Sequence, residues 1–124
     1  MSSTQLILTA TLAYSKNNVT VNENPGTVSI SVGGNGLVSN SAYVATTTDT
    51  ALPLGSVTVA GGLFFLYNQD LTNQVNIKTA VSGTILTNVK AGEFCLFRLP
   101  SGVTAPSIQS VTNSVIVSYA LFDN

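Results

Sequence analysis

The sequence of 124 residues contains no histidine, no tryptophan and a single cysteine, Cys95. Without histidine, one chain cannot build a His-dependent catalytic centre or metal site. A lone cysteine cannot form a disulfide within the chain, whereas small secreted domains usually carry several. No basic region precedes the first apolar residues, so the sequence predicts no signal peptide and folding in a reducing cytosol.

Charge is also scarce. Only 7% of the residues are charged, with four basic and five acidic side chains, whereas an ordinary soluble domain has about 25%. Four scattered cations cannot form the basic patch that binds nucleic acid. The longest apolar runs, Leu63–Tyr67 and Phe94–Phe97, are far shorter than the ~18 residues of a membrane helix. We therefore expect neither nucleic acid nor a membrane as a partner.

Serine, threonine and asparagine are abundant, with 42 residues together, and apolar residues alternate with them. In Ser114–Phe122, for example, every second residue from Val115 to Leu121 is apolar. Alternation with period two predicts half-buried strands, and the frequent Gly and Pro residues predict the turns between them. The candidate strands, of which eight or nine are expected to form, are residues 5–12, 18–22, 27–32, 42–48, 56–60, 63–67, 74–79, 84–88, 93–99 and 113–122. This pattern predicts a single all-β domain over residues 1–124, an antiparallel β-sandwich or barrel.

Catalytic chemistry is hard to place in this chain. The carboxylates are far apart in sequence, and without histidine a general base must be a lysine or one of them. These residues are Glu23, Asp49, Asp70, Glu93 and Asp123, with Lys16, Lys78 and Lys90. We expect the protein not to be an enzyme, with no catalytic, cofactor-binding or metal-binding residues and no cofactor. Cys95 is predicted to be a buried, inert thiol.

Three further features have structural interpretations. Asn68, Asp70 and Asn73 carry oxygens that suit Ca²⁺, but they are better explained as a turn stabilised by its own side chains. The Gly-rich segment 33–36 is predicted to be a loop between strands rather than a phosphate cradle. Tyr14 and Tyr43 are the aromatic residues in the most polar surroundings, and we expect them to be surface contacts. The other aromatics are predicted to lie in the core or in a subunit interface.

The shortage of charge also bears on assembly. Soluble monomers protect the edges of their sheets with Lys, Pro or bulges, and this chain has three lysines and one arginine. Two strands, 63–67 and 94–97, are apolar on both faces, so a second layer or a neighbouring subunit should cover them. Glu93 and Arg98 fall on opposite faces of one strand, so Arg98 is expected to meet a carboxylate of a neighbouring strand or subunit. These features favour a structural subunit covered by copies of itself.

The second half of the chain carries a recognisable arrangement. The apolar strand 62–67 leads into an N-x-D-x-x-N turn at Asn68–Asn73, a V-x-I strand at Val75–Ile77 and a hairpin with Gly92, Glu93, Arg98 and Leu99 before the closing strand 115–122. This arrangement resembles small β-sandwich structural proteins of tailed bacteriophages. The resemblance covers about residues 55–122 and implies a jelly-roll-like fold of about eight strands, often a homotrimer, with no active-site residues.

The resemblance also implies a function. We expect a virion protein, made in the host cytoplasm, that binds the major capsid protein and decorates and stabilises the capsid surface. The alternative is a tail or head-fibre adsorption module that binds a host glycan or protein. Residues 1–12 are expected to form an N-terminal arm or a swapped strand.

Overall fold

The structure, a computed structural model, describes residues 5–103 and 105–124 and is all-β over these ranges. Every strand pairing is antiparallel, which confirms the predicted fold class. The strands are β1 (Gln5–Thr9), β2 (Leu12–Lys16), β3 (Val19–Glu23), β4 (Thr27–Ser31), β5 (Leu37–Ala45), β6 (Thr50–Ala51), β7 (Leu63–Asn68), β8 (Val75–Lys78), β9 (Ile85–Val89), β10 (Phe94–Arg98), β11 (Ser107–Ser110) and β12 (Val115–Phe122). Nowhere in the described ranges is there a helix capable of crossing a membrane.

The contacts of the chain divide it into two units, Met1–Gly33 and Gly34–Asn124. In the first unit β1 pairs with β4, and β2 pairs with β3. The β2–β3 hairpin turns at Asn17 and Asn18, which both have positive φ, as a two-residue hairpin loop requires. The single domain over residues 1–124 remains a prediction, and residues 1–4 of the expected arm lie outside the described residues.

The second unit consists of two sheets of four strands that share one core. The sheet orders are β10-β7-β12-β5 and β6-β11-β8-β9. Both sheets contribute fully buried side chains to the core, among them Phe64 and Tyr119 from the first sheet and Ile77 and Ile108 from the second. Two antiparallel sheets that bury their facing side chains in this way form a sandwich-like arrangement.

The eight strands of the second unit pair in a nested order. The first pairs with the last (β5 with β12), the second with the seventh (β6 with β11), the third with the sixth (β7 with β10) and the fourth with the fifth (β8 with β9). Pairings of β7 with β12 and of β8 with β11 complete the two sheets. The unit is therefore one long antiparallel hairpin folded over on itself.

Some strand predictions are wrong. Residues 56–60 form an irregular loop, because the amides of Thr58 and Val59 bind a carboxylate instead of a neighbouring strand. Strand β11 is not among the predicted strands, because the buried positions Ser107 and Ser110 interrupt any apolar alternation. Their hydroxyls donate to the carbonyl oxygens of Ala80 and Asn113, which makes burial of these polar groups tolerable.

Candidate interaction surface

The turn between β7 and β8 is built from its own side chains, as the sequence predicts. Asn68 is fully buried, and its side-chain nitrogen donates to the carbonyl oxygens of Asn73 and Val89 at 2.9 and 3.1 Å. The Asp70 amide donates to the side-chain oxygen of Asn68, and one oxygen of Asp70 accepts the amides of Thr72 and Asn73. These backbone hydrogen bonds lower the pKa of Asp70. The side chains of Asn68 and Asp70 therefore stabilise the turn through hydrogen bonds within the chain.

Asp123 holds two loops of the second unit together. Its side chain is buried, one oxygen accepts the Thr58 and Val59 amides at 2.9 and 3.0 Å, and the other accepts the Gly36 amide at 2.6 Å. These backbone hydrogen bonds lower the pKa of the Asp123 carboxyl. A Cβ atom at Gly34 would collide with this carboxylate. Gly34 and Gly36 therefore make room for Asp123 within the predicted loop.

Lys78 and Asp49 form a salt bridge of 3.0 Å at the β8–β11 side of the second sheet. Lys78 also donates to the side-chain oxygen of Gln109, and the Ser82 amide donates to the same Asp49 oxygen. Burial raises the pKa of Asp49, but hydrogen bonds from Ser82, Ser107 and Lys78 outweigh it and lower the pKa overall. The Lys78 ammonium group is thus held between Asp49 and Gln109, in a contact that ties the segment before β6 to β8 and β11.

The single cysteine has the character that the sequence predicts. Cys95 is half-buried in β10, and its side chain packs against the core. Burial raises the pKa of its thiol to about 11. A thiol with this pKa is almost fully protonated at neutral pH, and the protonated form is a poor nucleophile.

The charged pair of the β10 hairpin separates as expected, but its partners differ from the expected ones. Glu93 accepts the Lys90 amide, and Arg98 donates to the carbonyl oxygen of Gly61 and the side-chain oxygen of Asn124. Within the described part of the chain Arg98 thus binds neutral oxygens rather than a carboxylate. A carboxylate from a neighbouring subunit remains a prediction.

The two tyrosines singled out by the sequence differ in their surroundings. Tyr14 is exposed and lies beside a shallow recess on the β2–β3 hairpin, which is lined by residues 13–15 and 20–22. The prediction is wrong for Tyr43, because its ring packs against the core with its centroid 5.7 Å from that of Tyr119. Only Tyr14 of the two is available as a surface contact.

Apolar side chains of the first unit are largely exposed. None of the residues from 5 to 33 is buried, and only Leu6, Leu8, Ile30 and Val32 are half-buried. The exposed fraction is 63% for Ile7 and 60% for Leu12. A pair of strands without a second layer is marginally stable in water. The predicted half-burial is therefore met only in part at β1 and β4 and is absent from β2 and β3, and the exposed apolar surface is suited to a partner.

A second apolar surface lies on the outer face of the sheet β10-β7-β12-β5. The predicted two-sided strands β7 and β10 direct one face to the core, while Tyr67, Phe94 and Leu96 on the other face are exposed. The rings of Phe65 and Phe94 are neighbours there, with centroids 6.1 Å apart. The second cover that the sequence predicts for these strands is thus not supplied by the described residues.

The described residues contain no cluster of three or more His, Cys, Asp or Glu side chains suited to a metal ion. The carboxylates Asp49, Asp70, Glu93 and Asp123 each accept a backbone amide. The two apolar surfaces are therefore the candidate functional regions. Comparison with known protein families, curated proteins and solved structures gives no match for this chain.

Proposed function

We propose that this protein is a virion structural subunit that decorates a phage capsid, with the first unit as its anchor. The observation that carries the proposal is that no side chain from residue 5 to 33 is buried and that most of the large apolar ones there are exposed. A hairpin unit with no core of its own gains most of its stability from burial against another surface, at roughly 25 cal/mol per Å² of apolar area. The major capsid protein and sister copies are the proposed partners.

The nested pairing of the second unit supports the same proposal. Eight strands in two sheets, folded over as one long hairpin, are the topology of a jelly roll, an architecture found in viral capsid proteins. We therefore propose that residues 34–124 form a jelly roll. Fold alone does not determine function, and the assignment adds to the resemblance in the turn and strand pattern of residues 55–122.

The remaining parts of the proposal follow from the composition. A surface of hydroxyl and amide groups can be covered by neighbours at lower cost than a charged one, because charged groups lose more on leaving water. We propose that copies associate as a homotrimer and that many weak contacts on one particle add up to stable attachment. The protein acts by binding, without catalysis or a cofactor, and is located on the virion.

The anchor can be tested on purified particles that lack this protein. Full-length chain is added, and occupancy is measured by electron microscopy. We expect density at regular capsid sites, and we expect Leu12→Glu to lower occupancy because it places a charge on the anchor. Leu71→Glu is the matched control, since Leu71 is 93% exposed on a loop of the second unit. Equal occupancy for both variants would show that the anchor lies elsewhere, and no capsid density for the unchanged chain would reject decoration.

The second candidate function is a host-adsorption module, and Tyr14 beside its shallow recess favours it. An exposed aromatic ring next to hydroxyl and amide groups is suited to stacking on a sugar ring. For a host-adsorption module, we expect the density in the same micrographs to lie on the tail or on fibres. A glycan array then provides the direct measurement, with Tyr14→Ala expected to lose binding and Tyr67→Ala to retain it.

A further inference from the structure

The four edge strands of the second unit differ in how they are protected. Strand β6 has only two residues, and the pairings of β5 and β9 with their neighbours each contain a register shift. Short edges and bulges are common protections against pairing with other chains. Strand β10 is in continuous register with β7 at all five of its positions. Phe94–Phe97 contains neither charge nor proline, and the one charge of β10, Arg98, stands at its last position, so β10 is the least protected of the four edges.

The main chain of β10 is suited to pairing with another strand. The Asn68 amide donates to the Glu93 carbonyl and the Leu99 amide donates to the Gly62 carbonyl, both at 2.9 Å, so these two groups point to the β7 side of the strand. Because these directions alternate along an antiparallel strand, the amide and carbonyl groups of Phe94, Leu96 and Arg98 point to the other edge. No strand pairs with that edge among residues 5–103 and 105–124.

We propose that β10 pairs antiparallel with β10 of a second copy around a twofold axis at Leu96. In this register Leu96 faces its own counterpart, and Phe94 of each copy faces Arg98 of the other. In this register the free amide and carbonyl groups of Phe94, Leu96 and Arg98 in one copy can hydrogen-bond to those in the other. The core-facing side of one sheet then lies next to the core-facing side of the other, and the two outer faces likewise adjoin. A twofold axis makes this contact self-complementary, as closed homo-oligomers require.

The charge distribution along β10 also favours a second copy of this chain as the partner at its free edge. Phe94 is 64% exposed and Arg98 is exposed, so the Arg98 guanidinium can lie over the Phe94 ring of the other copy as a cation–π contact. The two Arg98 residues fall at opposite ends of the paired strands, roughly 13 Å apart at about 3.3 Å per residue. Screening at physiological salt acts over about 8 Å, so their repulsion is weak.

The inference stands independently of the virion function and is tested in solution on the full chain. In a Cys95→Ala background, Leu96→Cys places one thiol on the twofold axis, and mild oxidation should yield a disulfide-linked pair. Val44→Cys in the same background is the control, because Val44 is similarly accessible on the other edge strand, β5. We expect a pair at position 96 and little cross-linking at position 44.

Adding Phe94→Lys should reduce the yield of the pair by about tenfold or more, since a large apolar side chain leaves the interface and a second cation meets Arg98. Phe94→Leu should retain most of the yield of the linked pair. Circular dichroism checks that each variant is folded. Native mass spectrometry of the unchanged chain should show even numbers of copies, including six if trimers pair. Three results would each overturn the proposal. They are equal cross-linking at positions 44 and 96, a yield of the linked pair that Phe94→Lys does not change, and assemblies of only one or three copies.

Discussion

At the scale of single residues, two buried polar side chains connect segments of the second unit. Asn68 joins the β7–β8 turn to the end of β9 at Val89, and Asp123 joins the loop before β5 to the loop after β6. Each replaces hydration by hydrogen bonds to main-chain groups, which is the condition for burying such groups at tolerable cost. These side chains are therefore structural, and their removal should be measurable in stability.

Asp123→Asn should lower the melting temperature at neutral pH by several degrees. The amide group keeps only one acceptor oxygen, so the amide of Gly36 or those of Thr58 and Val59 would face an NH₂ group. Thermal unfolding followed by circular dichroism measures the effect. Glu23→Gln, an exposed change in the first unit, is the control and should leave the transition of the second unit unchanged.

The same substitution predicts a pH dependence. The folded-state pKa of Asp123 is lowered from its ordinary value of 3.8, so its stabilising contribution is present above that value and is lost as the pH falls through the folded-state pKa. The stability difference between the unchanged chain and Asp123→Asn should therefore shrink in acid well below pH 3.8. A difference that stays constant over this range would contradict a role for the ionised carboxylate.

Cys95 should react slowly with thiol reagents in the folded protein. With a pKa of about 11, less than about one thiol in a thousand is ionised at neutral pH, and the side chain packs against the core. The rate of alkylation by iodoacetamide, followed by mass spectrometry, should rise by more than tenfold when urea unfolds the chain. Equal rates in the folded and unfolded protein would show that the thiol is accessible.

At the scale of elements, the sequence predicts the strands that have regular alternation. Strands β8 and β12 bury Val75, Ile77 and alternate residues from Val115 to Leu121 as predicted. The strand at 56–60 fails because Val57 and Val59 alternate while their loop is held by Asp123, a residue more than sixty positions away. Such long-range hydrogen bonds leave no local signal. The Asn68–Asn73 turn could be predicted because most of its hydrogen bonds join residues that are neighbours in sequence.

Asn68→Ala should destabilise the β7–β8 turn and the second unit by about 2–3 kcal/mol, because it leaves buried main-chain groups without their hydrogen bonds. Urea unfolding gives the free energy of unfolding. Leu71→Ala in the same turn is the control, since this largely exposed side chain should change stability by less than about 0.5 kcal/mol. Similar losses for both variants would indicate that the turn is sensitive to any substitution.

At the scale of the whole molecule, the two units bury very different proportions of their residues. The second unit has a shared core between two sheets, whereas residues 5–33 contain no buried side chain. The sequence could not distinguish them, because alternation in 5–12 and 27–32 resembles alternation in β12. Alternation reports which face a strand will bury, but it carries no information on whether the chain itself supplies the cover.

Hydrogen exchange should separate the units. In dilute protein the amides of β2 and β3 should exchange close to the rate of an unfolded peptide, whereas those of β7 and β12 should be strongly protected. Mass spectrometry of proteolytic fragments makes the measurement. Protection of β2 and β3 that rises with protein concentration would identify sister copies as their cover, and protection at all dilutions would contradict a unit without its own stability.

The nested order of the second unit has a consequence for its synthesis. Leu37 pairs with Phe122 and Ala45 with Val115, so strand β5 must wait for β12 to leave the ribosome before its side of the sheet can close. Among the described residues of the second unit, the innermost hairpin, β8 with β9, is the only pairing whose strands are close in sequence. Long waits for distant partners slow folding and leave strand edges exposed to other nascent chains. A lower expression level should therefore favour soluble protein, since fewer incomplete chains are present together.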